Sequence, residues 1–277
     1  MQRYIIPILI LCLFLCGCSV VVNDASSLKE HVFSSNDEPV PPEVTGPTAP
    51  SNPYGPVDFG FDGAYITCLA GDYQVGIDVS EWQETIDWQA VRDAGVEYVM
   101  LRIGWRGSEE GKLFEDDCFR SHYDGATAAG LQVGGYFFSQ AVSVEEAKEE
   151  AAYVLQLLDG RTLQMPLIFD WEQINSTDRT ADMDRRTLTD CSIAFCSAVK
   201  EAGYEPGIYF NPDLGSRLLY LGELTDYRFW LAMYSSTMSY PHKVDMWQYT
   251  NTGSVPGIEG DVDLNVHLIY EDGGTNQ

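Results

Sequence analysis

The chain has 277 residues, of which 45% are hydrophobic and 12% aromatic, a composition that excludes a wholly disordered or fibrous protein. It carries 16 Lys and Arg against 42 Asp and Glu, a formal net charge of −26 at pH 7. Because this charge repels phosphate backbones, we expect no nucleic-acid partner.

The N-terminal segment indicates export from the cytoplasm. Arg3 precedes the apolar run 5–15, which is too short to cross a bilayer and has the length of a signal-peptide core. The residues that follow resemble a bacterial lipobox, which implies a signal peptide over 1–17 and a lipidated Cys18. An uncleaved membrane anchor is the alternative, because residues 4–22 are almost continuously apolar. Both interpretations place the rest of the chain outside the cytoplasm, on the surface of a bacterial cell membrane.

Residues 18–72 are predicted to form a flexible, acidic tether. Prolines alternate there with Ser, Thr, Asn and acidic residues, a composition that does not build a core. Residues 58–72 contain several aromatic side chains and are the part of the tether that could pack on the following domain. We therefore expect a folded domain over 73–272 and a short tail over 273–277.

The seven cysteines do not indicate a disulfide framework. Cys191 and Cys196 are five residues apart in a helical pattern, so their side chains point in different directions. Cys68 and Cys118 could pair, but nothing in the sequence requires it. The four histidines form no cluster with ligand spacing, so we expect neither a metal site nor a cofactor.

From residue 73 onwards, short apolar runs alternate with helical patterns. Eight strands are predicted, at 74–79, 98–103, 132–139, 166–171, 206–210, 229–234, 245–249 and 262–266. Five helices are predicted, at 84–94, 116–129, 143–158, 184–202 and 212–221. This alternation favours a parallel sheet, which eight strands can close into a barrel. The predicted fold class is α/β, an irregular TIM-like barrel of five β/α units and three further strands, preceded by a disordered tether.

Acidic residues stand at the ends of the predicted strands, where barrels of this kind carry their catalytic groups. Asp170 and Glu172 end the fourth strand and share one face, with Cα atoms about 6.6 Å apart. Asp78 and Asp263 stand at two further strand ends. Two carboxylates forced together in a cleft raise one pKa and leave the other group ionised, which is the arrangement that glycoside hydrolysis uses. The alternative is that these are solvated acids, since 42 acidic residues make such pairs common.

Aromatic residues accompany these acids, and flat rings suit the apolar faces of sugars. The candidates for contact with a sugar are Trp82, Tyr136, Tyr209, Trp230 and Tyr234. Phe138 and Trp247 are assigned instead to the hydrophobic core, because large aromatic residues are common inside barrels.

The order of these motifs resembles the glycoside hydrolase family 25 lysozymes, the Chalaropsis-type N-acetylmuramidases, over about residues 75–270. The motifs that carry the resemblance are Gly76-Ile-Asp-Val-Ser80, Gly135-Tyr-Phe-Phe138, Pro166-Leu-Ile-Phe-Asp-Trp-Glu172, Phe229-Trp-Leu-Ala-Met-Tyr234, Trp247-Gln-Tyr249 and Gly260-Asp-Val-Asp-Leu-Asn265. The chain departs from the family where Arg102-Ile-Gly-Trp105 replaces a Lys-x-Thr-Glu signature, and where Phe137 replaces a His found in many members.

The resemblance implies an enzyme that cleaves the β-1,4 bond between N-acetylmuramic acid and N-acetylglucosamine in peptidoglycan, without a metal or cofactor. Glu172 would be the general acid and then the base. Asp170 would orient the substrate acetamido group or act as nucleophile, so a covalent ester and an oxazoline intermediate both stay open. Asp78 and Asp263 would adjust the pKa of the pair and hold the sugar, and Gln248 would contact the substrate.

The expected partners are peptidoglycan glycan strands and, through the lipid, the membrane, and we expect the chain to be a monomer. Two other functions stay open. The first is a peptidoglycan-binding lipoprotein that has lost catalysis, and the second is a glycosidase of another N-acetylated polymer such as chitin.

Overall fold

The structure is a computed structural model that describes residues 46–270. The predicted signal peptide, Cys18, most of the predicted tether and the tail at 273–277 lie outside these residues. Among the described residues, no helix has the length and apolar character needed to span a membrane. The four cysteines in this range, Cys68 and Cys118 included, are free thiols.

Within residues 46–270 the chain forms eleven strands and five α-helices. The strands are β1 (Phe59–Asp62), β2 (Tyr65–Cys68), β3 (Asp72–Val79), β4 (Tyr98–Arg106), β5 (Leu113–Glu115), β6 (Gln132–Ser139), β7 (Leu167–Trp171), β8 (Pro206–Phe210), β9 (Arg228–Ala232), β10 (Met246–Gly253) and β11 (Val262–Ile269). The helices are α1 (Trp88–Asp93), α2 (Phe119–Ala128), α3 (Val144–Leu158), α4 (Arg185–Glu201) and α5 (Pro212–Arg217).

Eight of these strands close into a barrel, as predicted, in a mixed α/β fold. Their order is β3, β4, β6, β7, β8, β9, β10 and β11, and β11 pairs back onto β3. The first seven run parallel to one another, whereas β11 is antiparallel to both of its neighbours. The prediction of a parallel sheet is therefore wrong for β11. The eight residues between β10 and β11 are too few for a parallel crossover, so the chain returns in the opposite direction.

A hairpin, β1 and β2, lies inside the range that the sequence predicted as tether. Its strands pair from Phe59 with Cys68 to Asp62 with Tyr65. The hairpin packs on the barrel, because the Phe59 ring contacts Trp247 edge-on at 5.4 Å and the Ile66 amide donates to the Tyr249 hydroxyl at 3.2 Å. The folded part of the chain therefore begins before residue 73.

The chain enters the fold at the amino-terminal end of the barrel strands. The Asn52 amide donates to the Pro241 carbonyl at 2.9 Å, and the Lys243 amide donates to the Pro50 carbonyl at 2.8 Å. The loop that carries Pro241 and Lys243 leads directly into the first residue of β10. Residues 50–52 are thus attached to the end of the barrel from which the parallel strands start.

Two helices are shorter than the predicted ranges, α1 at its start and α5 at its end. The helix predicted at 84–94 begins at Trp88, since the Asp87 carboxylate accepts from the Ala90 amide at 3.1 Å. The helix predicted at 212–221 ends at Arg217. The capping prediction for α3 agrees with the structure, in which the Ser143 hydroxyl accepts from the Glu146 amide at 3.3 Å.

The barrel separates two hydrophobic cores. The larger core fills the space between the strands and the surrounding helices. The smaller one fills the barrel interior, and its buried members are Tyr98, Met100, Met165, Ile168, Trp230 and Met246. Since side chains alternate across a strand, the residue two positions beyond Met100, Arg102, also faces inward. The interior is therefore apolar at the amino end and polar at the carboxyl end.

Gly76 is required by the packing of this interior. Any Cβ at this position would overlap the Tyr98 ring, which is fully buried beside it. We expect Gly76→Ala to lower the free energy of unfolding by about 1–3 kcal/mol, because the core would be overpacked. Urea unfolding measures this change. Gly46→Ala is the matched control, since a Cβ there meets nothing within 4 Å, and equal stability of the two variants would contradict the interpretation.

Candidate active site

The inward-facing side chains at the carboxyl end of the barrel surround an open cleft with a volume of about 260 Å³. The residues that line it are Asp78, Val79, Ser80, Trp82, Gln83, Arg102, Tyr136, Phe138, Asp170, Glu172, Tyr209, Trp230, Tyr234, Gln248 and Asp263. The structure thus brings all ten sequence-predicted catalytic and substrate-binding residues into one cleft. Cys18, the predicted lipidation site, lies outside the described residues.

Asp170 and Glu172 lie at the carboxyl end of β7, as predicted. Asp170 is only 4% exposed, and its Oδ1 atom has no hydrogen-bond partner, whereas Glu172 is partly exposed. Burial raises the pKa of Asp170 well above its usual value, and the charges of Glu172 and Asp78 raise it further. Burial and the charge of Asp78 also raise the pKa of Glu172. The structure therefore raises the pKa of both acids of the pair, and it does so more strongly for the buried Asp170 than for the partly exposed Glu172.

The end of β7 is held in place from β6. The Gln140 side chain is buried, and its Nε2 atom donates to the Glu172 carbonyl at 2.7 Å and to the Ser139 carbonyl at 2.9 Å. The Trp171 indole donates to the Ala141 carbonyl at 2.9 Å. These bonds fix the backbone on which the two acids stand.

Asp78 is held by two amide side chains from the last two strands. Asn265 Nδ2 and Gln248 Nε2 donate to its Oδ1 atom at 2.7 and 2.9 Å. Burial raises the pKa of Asp78 to about 6, although these hydrogen bonds favour the ionised form. Asp78 is therefore fixed in direction by its two amide partners.

The same two amides are themselves oriented by aromatic residues that line the cleft. The hydroxyls of Tyr209 and Tyr234 both donate to Gln248 Oε1, at 2.9 and 3.1 Å. The Trp230 indole donates to Asn265 Oδ1 at 2.8 Å. Because each amide oxygen accepts a bond, its nitrogen must face Asp78.

Asp263 reaches the cleft on a strand that runs antiparallel to its neighbours, whereas the sequence predicted a parallel sheet. It is the second residue of β11, near the amino end of that strand, and pairs in register with Asp78. The antiparallel direction of β11 places this amino end beside the carboxyl ends of the other strands. Burial, together with the charges of Asp78 and Glu172, raises the pKa of Asp263 to about 8.

Arg102 was not among the predicted site residues. It is the only Lys or Arg among the side chains that line the cleft in the described part of the chain. Its Nε atom lies 2.8 Å from the buried Asp116 carboxylate, and its Nη2 atom lies 3.0 Å from Glu81. The charge of Arg102 lowers the pKa of Asp170, opposing the effect of burial. The sequence did contain a signal for this position, because Arg102 lies two residues beyond Met100 and the two side chains must therefore point to the same side of β4.

The aromatic residues divide between the rim and the core. Trp82 is 79% exposed and Tyr234 is 55% exposed, so both stand at the rim. The assignment of Phe138 to the core is wrong, because it faces inward from β6 and lines the cleft. Trp247 is fully buried, in agreement with its core assignment. Phe137 faces away from the cleft and packs in the outer core.

A metal site has no support among the described residues, because no three His, Cys, Asp or Glu side chains in 46–270 are arranged to hold an ion. The groups that the cleft offers for chemistry are carboxyl groups, one arginine and a set of aromatic rings.

Comparison with known families agrees with this geometry. The sequence model of the family described as "Glycosyl hydrolases family 25" matches residues 77–258. This range runs from β3 to the residues just before β11 and so includes three of the four cleft acids.

Individual proteins are similar over the same region. An uncharacterized protein of Escherichia coli K12, YegX, is 28% identical over 199 residues, which are 69% of this chain and 68% of that protein. Lysozyme M1 of Streptomyces globisporus is 29% identical over 215 residues, which are 69% of this chain and 66% of that protein. The structure of the modular autolysin LytC from Streptococcus pneumoniae superposes with a TM-score of 0.64 and 24% identity, over 75% of this chain and 51% of that chain. The chain thus spans about half the length of that autolysin.

The raised pKa values predict how stability depends on pH. Asp263 has an ordinary pKa of 3.8 that the folded state raises to about 8, so the folded protein retains a proton that the unfolded chain releases. The free energy of unfolding should therefore fall as the pH rises from about 4 to about 8. Urea unfolding across this pH range should show a smaller fall for Asp263→Asn. Glu201→Gln, at the exposed end of α4, is the control, and an unchanged slope in Asp263→Asn would contradict the assignment.

Proposed function

The chain belongs to glycosyl hydrolase family 25, and on this premise we propose that it hydrolyses the β-1,4 bond between N-acetylmuramic acid and N-acetylglucosamine in peptidoglycan. The observation that carries the proposal is the convergence of four acids in one aromatic-lined cleft, two of them, Asp170 and Glu172, at the carboxyl end of β7. Two carboxyl groups beside the scissile bond are what hydrolysis of a glycoside requires.

Glu172 is proposed as the general acid. It is the more exposed member of the pair, and its raised pKa supports a proton that it can give to the glycosidic oxygen as the bond from C1 to that oxygen breaks. The carboxylate left on Glu172 then takes a proton from the water that attacks C1. The acid is thereby restored at the end of the cycle.

Asp170 is proposed to stabilise the positive charge that develops at C1. Its unpartnered Oδ1 atom is free to accept a hydrogen bond from the substrate acetamido N–H, or to form an ester with C1. In the first case the acetamido oxygen closes an oxazoline, and in the second Asp170 is the nucleophile. Both routes use its ionised form, which burial and the charges of Glu172 and Asp78 oppose and the charge of Arg102 favours.

Asp78 and Asp263 are proposed to hold the sugar and to adjust the charge around Glu172. The Asp78 carboxylate is directed by the amides of Gln248 and Asn265, so it is an acceptor of fixed direction for a sugar hydroxyl. The rings of Trp82, Tyr136, Tyr209, Trp230 and Tyr234 are proposed to contact the sugar faces.

The finer description of the protein also belongs to this proposal. We infer five β/α units and three strands in an irregular TIM-like barrel, since a helix follows each of β3, β4, β6, β7 and β8. We further infer that the enzyme acts as a monomer outside the cytoplasm, held on the membrane by a lipidated Cys18 after removal of residues 1–17. The sequence motif alone supports the lipid anchor.

Replacement of Glu172 tests the catalytic assignment. We expect Glu172→Gln to reduce the release of reducing ends from purified peptidoglycan by at least about 100-fold, because the amide cannot donate the proton. Urea unfolding should show that the variant remains folded. Glu201→Gln is the matched control on the surface, and activity that survives in Glu172→Gln would remove that residue from its role.

The pH dependence of turnover tests the coupling of the acids. Activity should fall on the acid side, where the charge-stabilising carboxylates become protonated, and on the alkaline side, where Glu172 loses its proton. Because the pKa values of both Asp170 and Glu172 are raised, we expect the optimum to be mildly acidic to neutral. Initial rates measured from pH 4 to 8 should trace this curve, and a flat profile would contradict it.

Mass spectrometry of the ends released from purified wall distinguishes this proposal from the two other functions. A reducing N-acetylmuramic acid end identifies the bond that we propose. Binding to insoluble wall without new ends at any pH would indicate a non-catalytic binding protein. Faster release of products from chitin than from peptidoglycan would indicate a different N-acetylated substrate.

A further inference from the structure

A row of paired residues leads away from the acids across four neighbouring strands. Asp170 on β7 pairs with Phe138 on β6, Phe138 pairs with Trp105 on β4, and Trp105 pairs with Phe114 on β5. Side chains of residues paired in this way lie on the same face of the sheet. Three strand spacings cover about 14 Å. The row therefore connects the cleft to a point well outside it.

The outer part of this row is a flat aromatic stack. The rings of Trp105 and Phe114 lie 5.4 Å apart at an angle of 20°, and the guanidinium of Arg102, a residue that lines the cleft, lies 4.8 Å from the Trp105 centroid. Phe114 is 42% exposed although it is a large apolar residue. The stack thus begins at a cleft residue and ends in a ring that is open to solvent.

Polar groups surround this exposed ring. Phe114 lines a cavity of about 270 Å³ at the turn between β4 and β5. The other residues that line it are Gly107, Ser108, Glu109, Glu110 and Lys112. A ring face beside hydroxyl, carboxylate and ammonium groups matches a sugar, which has apolar faces and hydroxyl edges.

We propose that the stack of Trp105 and Phe114, with this cavity, is a distal subsite for a sugar of the glycan strand that occupies the cleft. The inference rests on the proposed function and adds a preference for long strands to it. Continuity with the cleft through Phe138 and Arg102 supports this occupant. A sugar bound there belongs to the same strand as the bond that is cleaved, and it is separated from that bond by the width of the aromatic row.

The test compares long, peptide-free strands of alternating N-acetylglucosamine and N-acetylmuramic acid with the tetrasaccharide, using the full chain. We expect Phe114→Ala to raise KM for long strands about tenfold, because one stacking platform is lost, and to leave the tetrasaccharide unaffected. Phe114→Tyr keeps the ring and should behave as the wild type. Phe61→Ala removes another exposed phenylalanine, on β1, and should change neither substrate.

Binding to long strands is measured in parallel for Glu172→Gln and for the double variant with Phe114→Ala. Weaker binding by the double variant supports the subsite, even if the wild type releases no ends and the proposed hydrolysis is thereby overturned. Equal binding, unchanged KM for long strands, or equal losses on both substrates would overturn the subsite. Urea unfolding checks each fold, and if Phe114→Ala is unfolded, Phe114→Leu, which keeps the bulk without the flat ring, is measured in its place.

Discussion

The crowding of four carboxyl groups, two of them buried, at one end of a closed barrel is the constraint on which the rest of the site depends. Removing a charge from water costs several kcal/mol unless hydrogen bonds or an opposite charge compensate it. The chain meets this cost for Asp78 with two amides that aromatic side chains orient, and it places Arg102 beside Asp170. Even so, the pKa of each of the four acids is raised, which means that the environment favours their protonated forms. The stability of the fold therefore depends on pH through the same residues that line the cleft.

Much of this arrangement could be predicted from the sequence because it depends on local patterns. The alternation of strands and helices gave eight barrel strands at nearly their observed positions, and β6 was predicted with both of its ends correct. Asp170 and Glu172 follow a short apolar strand, and the period of two places them on one face. The ten candidate cleft residues come together because they lie on barrel strands or in the segments that follow them, at the same end of the barrel.

Other features could not be predicted because they depend on contacts between distant segments. Phe138 was assigned to the core because large aromatic residues are common inside barrels, although its spacing of two residues from Tyr136 places both side chains on the cleft face of β6. The register of β11 against β3, which lies almost 190 residues earlier, decides that Asp263 stands beside Asp78. Arg102 lies in a strand whose neighbours are apolar, and its partners Asp116 and Glu81 belong to loops that sequence patterns do not bring together. The hairpin β1–β2 is only marginal by itself and is stabilised by Trp247 and Tyr249.

Residues 50–52 are attached to the loop before β10, so they lie at the end of the barrel from which the parallel strands start. The four acids of the cleft lie at the opposite end. A ligand that approaches the mouth of the cleft therefore arrives at the end of the barrel opposite to residues 50–52, and these residues do not have to move to admit it.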